Sequence, residues 1–421
     1  MKSFISWIML LITGLVFSTP LPVNAIPQAQ KIQVWVDELP VAFDTQPEII
    51  KGRTLVPFRA IAESLNVNVE WDGKTRTVTA TDNLTIVRLQ INNGTAYKNN
   101  TAIPLETPPV IIGGRTLIPI RFFSEAFGGM VTWDAVVNGV RVTSAPKAMN
   151  VTGYYALGDS TTSSWQDLFG QAYPETGVGN TDLVSDLALG WYSLDPDGNL
   201  ITKSTTGWQR PDGWEKVLAA AETHKMKTQM IVHLTDKNNA IKNIISNDNA
   251  VERAVYGIAQ EAKLYQGVNL DFEGLGLTET GNDLTLVRNQ FTSFVRRLSD
   301  KLKPEGFTLT LSLHPLNSAY KGYDYKSLGQ AADGIIVMAY DYGAKPEPVS
   351  LVMQAIEKAK AEVPVGKLIL GISVPSEIPA SILSKIGIAK RYNLQGTALW
   401  RLGLLSDDMW NIVKSSVTPR S

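Results

Sequence analysis

The stretch Gln266-Gly267-Val268-Asn269-Leu270-Asp271-Phe272-Glu273 constrains the fold more than any other part of this chain. Read as a β-strand, its side chains alternate between two faces. Asn269, Asp271 and Glu273 share one face, and Val268, Leu270 and Phe272 share the other. Burying two carboxylates and an amide is costly unless the acids are paired or used. Inside a parallel α/β barrel the apolar face meets the helices and the acidic face points inward. Glu273 then falls at the strand's C-terminal end, where barrel enzymes place their chemistry.

Residues 150–421 have the pattern such a barrel needs. Their length suits one (β/α)₈ unit, typically about 250 residues, and short apolar runs alternate with helical patterns. The runs predict eight strands: Val151–Ala156, Asp182–Trp191, Lys227–Leu234, Gln266–Glu273, Phe307–His314, Gly334–Tyr340, Lys367–Val374 and Gly396–Arg401. Helices are predicted between them, among others at Trp214–His224, Asn249–Tyr265, Leu284–Leu302 and Val349–Ala361. The expected fold class is α/β, a TIM barrel preceded by a small α+β repeat domain and a linker at 145–150.

The smaller domain, residues 30–145, carries an internal repeat. Gly52-Arg53-Thr54-Leu55-Val56-Pro57-Phe58-Arg59 recurs as Gly114-Arg115-Thr116-Leu117-Ile118-Pro119-Ile120-Arg121. A glutamate follows each (Glu63, Glu125), then Val69-Glu70-Trp71-Asp72 or Val131-Thr132-Trp133-Asp134, all at one constant offset. Each unit reads as a turn, a short helix and a strand pair. Trp71 and Trp133 are expected in the core, with the arginines paired to Glu63 and Glu125 inside each unit. The doubled pattern resembles the copper amine oxidase N-terminal domain. The segment has no histidine or cysteine, so no copper site is expected. The resemblance implies a non-catalytic extracytoplasmic module for attachment or spacing at a cell wall.

Composition excludes several function classes. Lys plus Arg number 39 against 40 Asp plus Glu, so no electrostatic argument favours nucleic acid or an anionic membrane. There is no cysteine, which excludes disulfides and thiolate chemistry. The three histidines, His224, His233 and His314, lack metal-motif spacing, so neither a metal nor a cofactor is expected. At the N-terminus, Lys2, the apolar run from Ile5 to Phe17 and Val23-Asn24-Ala25 read as a signal peptide over 1–25. Its apolar run is shorter than the roughly 20 residues a membrane span needs. The expected product is secreted, without a membrane span after cleavage, and associated with a bacterial cell wall.

Two carboxylates two residues apart on one strand are poorly placed to flank a glycosidic bond. The usual retaining pair sits about 5–5.5 Å apart on different strands. Here Glu273 would protonate the leaving oxygen, while Asp271 would hold a nucleophile belonging to the substrate, such as a 2-acetamido group. An ionised Asp271 beside Glu273 predicts a raised Glu273 pKa.

The run Gly267–Glu273 resembles the D-G-x-D-x-D-x-E signature of glycoside hydrolase family 18. Met338-Ala339-Tyr340-Asp341 resembles that family's M-x-Y-D motif on strand six, and Trp400 matches its strand-eight tryptophan. Trp191–Gly198 is similar to the strand-two region of spore-germination and cell-wall N-acetylglucosaminidases. The resemblance implies that Glu273 is the general acid/base and that Asp271 orients the acetamido group and stabilises an oxazolinium-like intermediate. It further implies that Tyr340 hydrogen-bonds the acetamido carbonyl, Asp341 and Met338 line the site, and Trp400 stacks under the reacting sugar. Asn269 joins the substrate-binding set. Only one of Tyr154 and Tyr155 can face inward on strand one, and Tyr155 is the candidate. His314 ends strand five on the polar side, either touching sugar or serving as a hydrogen-bonded structural residue.

The chain departs from the family pattern in three places. Gln266 and Asn269 replace the first two aspartates, removing a charge that could share the Asp271 proton. The segment between strands seven and eight is too short for an inserted domain, which predicts a shallow, open groove. Strand seven, Gly371-Ile372-Ser373-Val374-Pro375, lacks the tyrosine often found there. The expected function is an exported hydrolase cleaving β-1,4 linkages adjacent to N-acetylglucosamine in peptidoglycan or chitin-like glycans, with retention of configuration. The alternative is a non-catalytic, lectin-like wall protein, which the presence of Glu273 disfavours.

Overall fold

In the computed structural model, residues 31–156, 162–204, 207 and 209–418 are described. The expected signal peptide, 1–25, lies outside the described residues. From Ile32 onward the chain forms one compact unit.

Both repeats fold as strand, short helix and hairpin. The first comprises Arg53–Pro57, Phe58–Ser64, Asn68–Asp72 and Thr77–Thr81; the second comprises Arg115–Pro119, Ile120–Ala126, Met130–Asp134 and Gly139–Thr143. The leading strands pair antiparallel, Leu55 with Pro119, Val56 with Ile118 and Pro57 with Leu117. Val56 and Ile118 hold the same position in their repeats, so an approximate twofold axis passes between them. Val56, Ile61, Ile118 and Phe123 fill the shared core.

Two expectations for this region need correction. Trp71 and Trp133 are 40% and 44% exposed rather than core. Each lies on an edge strand of its sheet, opposite buried Val78 or Val140, so the indole turns toward the core but sits at its rim. The arginines also pair differently. Arg121 reaches Glu125 at 4.0 Å, but Arg53 pairs with Glu106, and Arg115 meets Asp44 at 2.6 Å.

The barrel has the eight expected parallel strands. They are Asn150–Tyr155, Asp186–Leu194, Lys227–Thr235, Gly267–Glu273, Thr308–Leu313, Gly334–Val337, Leu368–Ser373 and Gly396–Trp400, hereafter strands one to eight. Strand one pairs with both strand eight and strand two, which closes the sheet. Val268, Leu270 and Phe272 belong to the layer between strands and helices, where Phe272 stacks on Phe291 and Phe294. Strands seven and eight are joined by a short turn and the helix Pro379–Arg391, with no inserted domain.

The barrel and the repeat region share buried contacts. The Lys390 ammonium lies 3.6 Å from the Asp37 carboxylate, both almost fully buried, and donates to the Ser144 carbonyl. Asp37 also accepts from the Ser144 backbone N–H and hydroxyl. Leu39 packs into the barrel's own core cluster. The expected linker is pinned as well: Lys147 N–H donates to the Ser416 carbonyl, and Thr418 N–H donates to the Lys147 carbonyl.

Candidate active site

At the C-terminal mouth of the barrel, strand ends surround a cavity of about 630 Å³ whose lining includes Tyr154, His233, Asp271, Glu273, His314, Met338, Tyr340, Asp341 and Trp400. Strand four delivers the acids as its alternation predicts. Asn269 and Asp271 are buried, and Glu273 keeps 31% of its side chain exposed at the mouth. Register with strand three sets His233 beside Asp271, and register with strand five sets Ser312 on the other side. A hydrogen-bonded chain crosses the interior here: the Tyr154 and Ser312 hydroxyls lie 2.6 Å apart, and Ser312 donates to Asn269 Oδ1 at 2.9 Å. Asp271 Oδ1 is buried without a hydrogen-bond partner among the described residues.

Two imidazoles bracket Glu273. His233 Nε2 lies 3.5 Å from Oε1, and His314 Nε2 lies 3.7 Å from Oε2. Their charges set the proton inventory. Burial and the neighbouring Glu273 raise the Asp271 carboxyl to about 8, with His233 pulling the other way. Burial also pushes Glu273 up, but the His233 hydrogen bond and the charges of both histidines outweigh it, and the net shift is downward. For His233, burial is opposed by the hydrogen bond to Glu273 and by both carboxylates, and its pKa rises overall. Burial lowers that of His314 despite Glu273 and Asp341. In the free protein these surroundings favour the protonated form of Asp271 and the ionised form of Glu273. This reverses the expectation of a raised Glu273 pKa, because the histidine opposite could not be placed from the sequence.

Strand six and its exit loop bring Met338, Tyr340 and Asp341 to the cavity. Tyr340 stays protonated, since burial and the nearby Tyr154, Asp271 and Glu273 push its hydroxyl well above the ordinary value. Gly371 on strand seven makes room for it: a methyl group there would sit 3.2 Å from the Tyr340 ring and 2.9 Å from the Val337 carbonyl. Asp341 adopts a positive φ of 63°. Its backbone N–H and that of Tyr342 donate to the two oxygens of buried Glu347. The carbonyl of Glu347 is in turn held by Lys385, which pairs with buried Glu377. Trp400 meets Tyr154 edge to face at 5.3 Å.

The structure brings together Glu273, Asp271, Tyr340, Asp341, Met338 and Trp400, with Asn269 beneath them. It does not bring Tyr155 to the acids. Tyr154 is the inward residue of strand one, whereas Tyr155 packs outside the barrel against Trp191, bordering an adjoining cavity that shares Tyr154 and Trp400 with the first. His233, Tyr320 and Tyr342 join the site unforeseen. His233 Nε2 or Nδ1, Asp271 and Glu273 offer ligand atoms within 4.8 Å of one another.

Residues 150–375 match the model of glycosyl hydrolases family 18, and residues 35–142 match that of the copper amine oxidase N-terminal domain. The cortical fragment-lytic enzyme of Bacillus subtilis (strain 168) is 26% identical over 169 residues, 35% of this chain and 37% of that one. The chain spans less than half the length of curated relatives such as this. Among solved structures, the Bacillus cereus spore cortex-lytic enzyme SleL superposes with a TM-score of 0.52 at 16% identity, covering 66% of this chain and 76% of that one. A chitinase from Chromobacterium violaceum ATCC 12472 gives 0.53 at 18% identity, covering 64% and 98%. At these identities the likeness shows the fold.

Proposed function

This chain belongs to glycosyl hydrolases family 18, and from that premise we propose that it is an exported hydrolase of β-1,4 bonds adjacent to N-acetylglucosamine. The observation that carries the reading is Asp271: a buried carboxyl with one oxygen unpartnered among the described residues, next to Glu273 on the cavity floor. An acetamido N–H is the donor that oxygen needs. Accepting it favours the ionised form of Asp271, while the bound sugar excludes water from Glu273 and raises its proton affinity. The Asp271 proton thereby passes to Glu273, where the leaving group needs it.

Glu273 gives that proton to the glycosidic oxygen as the bond to C1 breaks. The acetamido carbonyl oxygen, oriented by the Tyr340 hydroxyl, closes on C1 to form an oxazolinium, whose positive charge the Asp271 carboxylate stabilises. Water then attacks C1 from the vacated side, losing a proton to Glu273. Two displacements retain the configuration. The names of relatives acting on spore cortex, together with the attached repeat domain, favour peptidoglycan or a related wall glycan as the substrate and the cell wall as its location.

Digestion of purified peptidoglycan and chitin oligosaccharides by wild type and Glu273→Gln, with products read by mass spectrometry, tests this. We expect new reducing-end N-acetylglucosamine from wild type only, with the variant slowed by at least about 10²-fold. Wild-type turnover by Glu273→Gln would remove the mechanism.

A further inference from the structure

The twofold relation between the repeats builds two matching surface cavities that the hydrolytic site does not use. One, about 550 Å³, sets Pro57, Arg59 and Trp71 of the first repeat against Arg115 and Thr116 of the second. The other, about 370 Å³, sets Pro119, Arg121 and Trp133 of the second repeat against Arg53 and Thr54 of the first. Eight positions correspond across the two linings, Ile111 in one answering Ile49 in the other, while the carboxylates of Asp44 and Glu63 line the first cavity alone. The cause is the antiparallel pairing about Val56 and Ile118, which lays the turn of each repeat beside the helix start of its mate.

Each cavity joins an exposed indole, an exposed isoleucine, a threonine and two guanidinium groups. Trp71 and Trp133 are 40% and 44% exposed, and Ile49 and Ile111 are 51% and 43% exposed. An aromatic face held on a strand offers a large, pre-ordered apolar surface at little entropic cost. Beside it, guanidinium groups donate to carbonyl or carboxylate oxygens. Arg59 makes no ion pair among the described residues, which leaves its donors for a ligand, whereas Arg115, Arg53 and Arg121 are paired with Asp44, Glu106 and Glu125 and offer only their remaining N–H groups. A flat apolar face with donors at its edge matches a pyranose ring, whose C–H face stacks while its acetamido carbonyl or acidic substituent accepts. Two related sites also suit a ligand that presents the same group at intervals, as a polysaccharide does.

We propose that these cavities are paired glycan-binding sites, each holding one sugar of an N-acetylated wall polymer on Trp71 or Trp133. The identity of the polymer rests on the hydrolytic reading; the existence of the sites does not. Linking two weak sites on one chain multiplies affinity for a polymer, by roughly 10²–10⁴ where geometry allows.

The test is co-sedimentation of the full chain with protein-free peptidoglycan sacculi, in a Glu273→Gln background that leaves the polymer intact. Replacing both Trp71 and Trp133 by Ala is expected to weaken binding by about tenfold or more, with each single change falling between, as avidity requires. The double Phe variant keeps an aromatic face and should hold part of the binding. The inference is overturned if the parent does not sediment, if the double Ala variant sediments like the parent, or if double Phe loses as much as double Ala. Digestion of the same sacculi by the wild-type chain reports on catalysis separately. Trp-dependent sedimentation with neither sacculi nor chitin oligosaccharides digested would remove the hydrolytic reading and leave this one standing.

Discussion

Glu273 stands between two imidazoles and two residues beyond a buried carboxyl, so its chemistry is set by how one proton is divided. His233 depresses both Asp271 and Glu273. Replacing it with neutral Gln removes a positive charge, and both carboxyls then hold their protons to higher pH. The acidic limb of the kcat/KM profile reports gain of a second proton by the pair, and the basic limb reports loss of the last one. Both limbs should therefore move upward in His233→Gln, and a stationary profile would show that His233 does not govern the pair. The groups that could mask the shift are His314, Tyr340 and Asp341, all of which remain in the variant. EDTA should leave wild-type turnover unchanged, because proton transfer between His233, Asp271 and Glu273 requires no cation. Clear inhibition would show that the three side chains work as ligands.

Strand seven carries a second, steric control on the site. Ala at position 371 would place a methyl 3.2 Å from the Tyr340 ring and 2.9 Å from the Val337 carbonyl oxygen, so the strand-six backbone and the Tyr340 it carries must give way. Crowding of this kind costs roughly 1–3 kcal/mol of stability. Displacing a group that positions substrate should lower kcat on the order of tenfold. Steady-state kinetics of Gly371→Ala alongside a thermal melt would check both; unchanged kcat would mean that Tyr340 does not position the acetamido group. Elements of this kind mark how far the chain could be read in advance. Strand four was legible because a period-two pattern carries both its structure and its chemistry. Trp400 and the Met338–Asp341 run were legible as motif positions. Tyr154 was not, since adjacent tyrosines leave the parity of strand one open until its register with strands two and eight is known. Nor were His233 and Glu347, whose roles come from contacts across the barrel and across a loop. Trp71 and Trp133 misled for a related reason: an inward-facing position on an edge strand looks like core in sequence but lies at the rim.

At the scale of the molecule, the repeat region is fastened to the barrel by a buried ion pair. Asp37 and Lys390 expose only 3% and 7% of their side chains, and the helix bearing Lys390 approaches so closely that a methyl at Gly387 would lie 2.6 Å from the Asp37 Cβ. Burial already lowers the Lys390 pKa despite the opposing pull of Asp37. Removing the carboxylate leaves an ammonium with no counter-charge and takes an acceptor from Ser144. Breaking a buried pair on one side costs about 3–5 kcal/mol. Asp37→Ala should therefore lower the unfolding free energy by about that amount, measured by urea denaturation. The loss is expected at the interface, so the tryptophan fluorescence and far-ultraviolet circular dichroism transitions should separate in the variant and coincide in wild type. Adding Lys390→Met should restore part of the stability, because the uncompensated charge is then gone while the Ser144 contacts remain lost. If Asp37→Ala unfolds like wild type, the pair does not fasten the two regions.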